Sequence, residues 1–342
     1  MNQKINSSIR LYEEYFKLQN VKEGEKVVIL SGQQYDRTIL EHYQMALANL
    51  GADFYTMFIP PKIKKIQYEA KPGTDFVFDS IKDSGLVLTL PGAMIMYGTE
   101  RGIELLKSGV RSLHNSLDEQ TLRRLWPTKD IIDRTFKGVK IIEAAKIMKF
   151  TSKVGTNLVY DKTGRGGHCQ CSLAHIPGRW DNSGYGKADS GPPYNSVEGT
   201  LVINSGDYMA ALDRIVVSPI RCTIKDGYIT KIEGGADATL LKTWLDSWKD
   251  PESYRCSHAG YGTNDGAIWI GRGSTGTDRY NYYGGLQIAF GSNTLITGAR
   301  YSGADVKIEA ASHLDIDLLN HSMWLDDAQI IDEGVIVHPE CK

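Results

Sequence analysis

The sequence predicts an α/β protein in two parts: a Rossmann-like parallel α/β domain over residues 1–148, then a mainly-β domain over residues 149–342. Three observations carry this. Short apolar runs alternate with a helical repeat in the first part. Most of the 35 glycines fall after residue 150, which marks a part rich in turns and loops. That second part also carries "IRCTIKDGYITKIEGG", a hairpin whose turn is Asp226-Gly227.

The elements follow in order. Residues 7–18 read as a short amphipathic helix. "KVVIL" (Lys26–Leu30) is a compact β-branched run and reads as a buried strand. After the polar turn "SGQQYD", Ile39, Tyr43, Ala46, Leu47 and Leu50 recur at helical spacing, and Gly51 ends that helix. "DFYTMFIP" and "SGLVLTLPG" supply two more strands. The turn "SGQQYDRT" has one glycine where a dinucleotide-binding turn wants several, which excludes a nicotinamide cofactor. Residues 116–146 read as helical, interrupted at "WPTKD", where Pro127 opens a new helix.

The character changes near residue 148. "IMKFTSKVGTNLVYD" reads as a hairpin and "EGTLVINSGD" as a strand. Between them, residues 162–196 form a long Gly-, Pro- and Ser-rich stretch that reads as a loop, functional or disordered. "DATLLKTWLDSWKD" reads as a helix with Leu240, Leu241, Trp244 and Trp248 on one face. "GRGSTGTDRYNYYGG" (Gly271–Gly285) is glycine-rich without opening an obvious helix, and its tyrosines are candidates for lining a pocket.

Composition removes several functions. A net charge of −2 gives no phosphate-binding surface for nucleic acid. No run approaches the roughly 18 apolar residues of a membrane span. The first residues lack the apolar core of a signal peptide, and five cysteines make a disulfide scaffold unexpected, so a cytoplasmic location is expected.

The stretch that points to chemistry is "ASHLDIDL", Ala311–Leu318. As a strand it turns Leu314, Ile316 and Leu318 one way, and His313, Asp315 and Asp317 the other. "CSHAGYGTN" adds His258, with Gly260 and Gly262 close behind to let backbone approach a bound group. His258, His313 and Asp315 form a two-imidazole, one-carboxylate set that holds a metal with open positions. Zinc hydrolases use the same donors, so spacing does not choose between iron and zinc. A competing reading makes each histidine an ordinary hydrogen-bonded residue, caps a turn with Asp315, or makes Asp317 the carboxylate that matters. His168, Cys169 and Cys171 lack a second ligand pair at finger-like spacing.

"PGRWDNSGYG", "SVEGTLVINSGD", "IKDGYITKIEGG", "SHAGYGTN" and "SHLDIDL" resemble, in this order, the 2,5-dihydroxypyridine 5,6-dioxygenases, whose fold is shared with the aminopeptidase T-like (M29) metallopeptidases. The resemblance is best from about 177 to 320. It implies an Fe(II) site, with zinc or cobalt as alternatives, on His258, His313 and Asp315. It also implies a ring-cleaving reaction of a hydroxylated aromatic or heteroaromatic substrate with O2, and a homo-oligomer. Glu198, in "VEGT", matches a glutamate of both branches and is expected near the metal as an orienting or proton-handling group. The dioxygenases carry an acid/base histidine in the loop after the third strand. Here that loop reads "PGAMIMYGTERG", and Tyr97 is the nearest titratable side chain.

Three further side chains are candidates for the substrate itself. Trp180 and Tyr185 would stack on a planar ring. Arg179 would bind a carboxylate or phenolate. A metal-dependent hydrolase, amidase- or aminopeptidase-like, is the alternative activity. An interaction module with a vestigial site is the non-enzymatic one.

Overall fold

The computed structural model describes residues 2–60, 74–96, 99–191, 195–271, 275–293 and 309–342. The chain forms two compact units: Met1–Trp126 with Cys171–Gly184, and Pro127–Gln170 with Tyr185–Lys342.

The first unit is built on a parallel sheet. Its strands run in the order Asp53–Ile59, Lys26–Gly32, Leu86–Thr89, Arg111–His114, Trp180–Asn182. Val27, Ile29, Leu30, Val87 and Leu88 are buried, as an apolar run between two covered faces requires. The helix Arg37–Asn49 starts where the Asp36 carboxylate accepts the Thr38 N–H at 2.8 Å. It buries Leu40, Tyr43, Ala46 and Leu47, and Gly51 takes a positive φ of 71° just past its end.

Among its described residues the second unit holds two antiparallel sheets. One has eight strands, in the order Tyr228–Gly234, Ile220–Lys225, Val197–Ile203, Asn157–Asp161, Ile147–Thr151, Ser322–Leu325, Ala328–Asp332, Val335–Ile336. The other has seven: Arg214–Ile215, Tyr208–Met209, His313–Leu318, Leu286–Gly291, Cys256–Gly262, Lys187–Ser190, His168–Gln170. The expected hairpins at 147–161 and 220–234 are present. The helix Lys129–Ala144 lies on one face of the seven-stranded sheet. There Thr135 Oγ1 is 2.5 Å from Thr263 Oγ1, and a Cβ on Gly138 would meet the Tyr261 hydroxyl and Ala188. Tyr261 and Ala188 are register partners, so their side chains share that face.

Several expectations change. The division read near 148 differs from the observed one, because the helix Lys129–Ala144 packs with the second unit's strands. The stretch 162–196 contains three short strands, and one of them, Trp180–Asn182, closes the first unit's parallel sheet. Thr128, not Pro127, caps the helix at Lys129. The helix Ala236–Ser247 buries Asp237, Ala238, Leu241 and Leu245, while Leu240 is exposed. A short helix, Gly276–Asn281, does open in the glycine-rich segment, because Thr275 and Asp278 form a reciprocal capping box. All five cysteines are buried free thiols. No described helix is long and apolar enough to cross a membrane.

Candidate metal centre

The strand His313–Leu318 alternates as its sequence requires. Leu314, Ile316 and Leu318 are fully buried on one face, and His313, Asp315 and Asp317 occupy the other. His258 sits two strands away, on Cys256–Gly262, with Leu286–Gly291 between them. Two devices close that gap. Cys256 pairs with Phe290, yet Ala259 pairs with Ile288, so Ser257 and His258 form a bulge opposite the single residue Ala289. A bulge re-aims a side chain. Ala289 is also the direct partner of Asp315, and its methyl leaves room above the middle strand.

His258 Nε2 therefore lies 3.2 Å from Asp315 Oδ1, and His313 Nε2 lies 3.3 Å from the same oxygen. The two rings stack at 5.4 Å with 24° between their planes. One donor atom from each residue falls within 4.8 Å of the others.

The donor chemistry fits a cation. His313 donates Nδ1–H to the Ser292 carbonyl at 2.7 Å, so its neutral ring turns the Nε2 lone pair toward Asp315. Among the described residues, Asp315 Oδ1 is buried with no hydrogen-bond donor satisfying it. Lone pairs facing an anion repel unless a proton or a metal stands among them. Burial disfavours the charged form of His313, but the Asp315 charge and the Ser292 carbonyl outweigh it and raise its proton affinity. Burial, then the Lys187 charge, pushes His258 down to about 4 against the pull of Asp315 and Asp189. Burial also opposes the charge on Asp315, yet the two imidazoles hold its carboxyl well below the usual range.

A second polar row runs one step along the same strands. Register pairs His168 with Asp189, Asp189 with Gly260, Gly260 with Gln287, and Gln287 with Asp317. His168 Nδ1 lies 3.2 Å and Lys187 Nζ 2.9 Å from the Asp189 carboxylate. Burial opposes that carboxylate's charge, but Lys187 and then His168 hold it well below the usual range. Lys187 Nζ also donates to Gln287 Oε1, and Gln287 Nε2 donates to Asp317 Oδ1 at 2.8 Å. Burial and the Asp315 charge push the Asp317 carboxyl well above its usual range.

Of the glycines after His258, Gly260 makes room for this row and Gly262 for the neighbouring helix end. A Cβ on Gly260 would come within 2.2 Å of the Ala188 carbonyl and 2.4 Å of Asp189 Cβ. A Cβ on Gly262 would strike the Asn281 and Tyr282 backbone.

The remaining expected residues fall elsewhere. Glu198 is not among the three clustered donors: it is exposed in the eight-stranded sheet and accepts the Asp226 N–H at 2.6 Å. Arg179 is 1% exposed and pairs with Asp181 at 2.9 Å inside the first unit, so a substrate carboxylate does not find it free. Trp180 opens the strand that joins Arg111–His114. Tyr97 lies outside the described residues. Tyr185 is half-buried, with its ring 6.3 Å from that of Tyr280. Burial, then the charges of Asp315 and Asp317, raise the Tyr280 phenol well above 10. The capped helix Gly276–Asn281 carries Tyr280, which feels the charges of both aspartates.

Residues 7–338 match the family described as 2,5-dihydroxypyridine 5,6-dioxygenase. The chain belongs to that family. It is 27% identical to the 2,5-dihydroxypyridine 5,6-dioxygenase of Pseudomonas putida KT2440, over 97% of this chain and 96% of that protein. It superposes on the structure of 2,5-dihydroxypyridine dioxygenase from the same organism with a TM-score of 0.88 and 25% identity, covering 99% of each chain. AmpT from Thermus thermophilus shares the fold, with a TM-score of 0.66 and 13% identity over 96% of this chain and 99% of that one. The family is one of ring-cleaving dioxygenases, and the protein is an enzyme of that class.

Proposed function

We propose that the protein is an Fe(II)-dependent dioxygenase that opens the ring of a dihydroxypyridine or a related hydroxylated heteroaromatic. The observation that carries this reading is the meeting of His258, His313 and Asp315 around one point, with the His313 tautomer set by Ser292. Two imidazoles and one carboxylate suit a divalent first-row metal and leave part of its coordination sphere free. Bound there, iron supplies the redox chemistry that lets O2 react with an electron-rich ring.

The chain's own part is to hold and to orient. Asp315 brings negative charge to a buried face, which favours a cation over water. Tyr185 and Tyr280 offer aromatic surface to a planar ring. Burial of His258 and of Asp315 Oδ1 limits the access of bulk water to this point.

Anaerobic loading with Fe(II), then O2 uptake on adding 2,5-dihydroxypyridine, tests this. The expected result is O2 consumption that depends on both iron and the ring compound. Turnover that persists without O2 would instead identify a metal-dependent hydrolase on the same ligands. Absence of turnover in the iron-loaded protein would refute the substrate class.

A further inference from the structure

Asp317 is not one of the three ligands, yet it stands on their face, two residues from Asp315. Successive residues on one face of a strand are about 7 Å apart. Its side chain is fully buried. One oxygen, Oδ1, accepts from Gln287 Nε2. The other, Oδ2, is buried and has no donor among the described residues. A buried carboxylate oxygen left so costs about 1–3 kcal/mol or more.

The fold nevertheless fixes this group's orientation. Lys187 has donors only, so the Gln287 amide must turn its oxygen to Lys187 and its NH2 to Asp317. Lys187 is anchored in turn by Asp189, and Asp189 by His168. Gly260 lacks a side chain where this chain of contacts crosses the intervening strand. Here one oxygen is held and the other is left over beside the metal ligands, with Tyr280 in electrostatic reach.

We propose that Asp317 is a substrate-contacting residue whose Oδ2 hydrogen-bonds a ring N–H or O–H group of the substrate, and that Gln287 and Lys187 are positioning residues acting through it. This rests on the ring-cleaving reading above. A hydroxylated nitrogen heterocycle carries such polar groups at its rim, and a contact two residues from the metal ligands sets which edge of the ring faces the metal.

The test uses the full-length protein loaded anaerobically with Fe(II). Bound iron is measured by elemental analysis, binding of 2,5-dihydroxypyridine by anaerobic calorimetry, and KM and kcat by O2 uptake. Asp317→Ala is expected to keep iron within twofold of wild type while weakening anaerobic ring binding at least tenfold. Gln287→Leu is expected to weaken it less. The double variant is expected to bind no worse than Asp317→Ala alone, because the amide acts through the carboxylate. Asp317→Asn, which keeps the size, is read in the same assays if the alanine variant does not fold. Unchanged ring binding in the Asp317 variant, loss of its iron, or additive effects of the two substitutions overturn the inference while leaving the dioxygenase reading intact. A wild-type protein that holds iron but binds no dihydroxypyridine overturns both.

Discussion

The Nδ1–H of His313 points at the carbonyl oxygen of Ser292, 2.7 Å away, and this bond commits the opposite ring nitrogen to Asp315. The donor set is thus built for a cation before one arrives. Replacing any ligand, as in His258→Ala, His313→Ala or Asp315→Asn, should weaken Fe(II) binding by more than the roughly 10–100-fold seen when only an outer partner is lost. Asp315→Asn carries a second signature. Its amide can donate to a facing Nε2, so the metal-free variant should melt at a higher temperature than metal-free wild type. Metal titration with elemental analysis, and thermal unfolding in chelator, check the two halves separately.

Ala289 is the residue over which the cluster closes, because it faces Asp315 on one side and the bulge bearing His258 on the other. Ala289→Leu should fill that space. The sheet should survive, with an overpacking cost of about 1–3 kcal/mol, but iron content should fall to near background. Ala289→Gly should keep iron. Equal iron in the alanine and leucine proteins would show that the cluster closes elsewhere.

Glu198 belongs to the Asp226-Gly227 turn rather than to the ligand set. Glu198→Ala should leave the iron content unchanged. It should lower the unfolding free energy by about 1 kcal/mol, the ordinary worth of one hydrogen bond. Chemical denaturation and metal analysis of the same preparation decide it.

The strand through His313 was legible because its apolar and polar residues alternate with period two, and structure kept that alternation down to Asp317. The parallel strands were legible as apolar runs, and the Asp226-Gly227 hairpin as its turn dipeptide. What was not legible depends on residues distant in sequence. Nothing local says that Leu286–Gly291 separates His258 from His313, or that a bulge at Ser257 and His258 bridges it. Arg179 looked like a binding side chain although its partner, Asp181, is only two residues on, because the burial of that pair shows only once Trp180–Asn182 joins the first unit's sheet. Gly260 suggested a bound group, but its neighbour is Asp189 on the adjoining strand.

Asp237 gives a pH dependence apart from the metal. Its carboxylate lies in the first turn of the helix Ala236–Ser247 and is 2% exposed. It accepts the N–H groups of Val217 and Ser218 at 2.7 and 2.8 Å, and pairs with Arg214 at 2.8 Å. Burial opposes its charge, but these donors bring it down to about 2 from an ordinary 3.8. A carboxyl lowered on folding stabilises the native state above its unfolded value and loses that contribution as pH falls toward the folded one. The contribution is therefore complete above about pH 5 and fades down to about pH 2, with a size on the order of 2 kcal/mol. Asp237→Asn should lower stability at pH 7 by about that amount and flatten the decline between pH 4 and 2. Urea unfolding at several pH values would show it. Parallel curves for the two proteins across that window would mean that the carboxylate's hydrogen bonds are no stronger in the folded chain than in water.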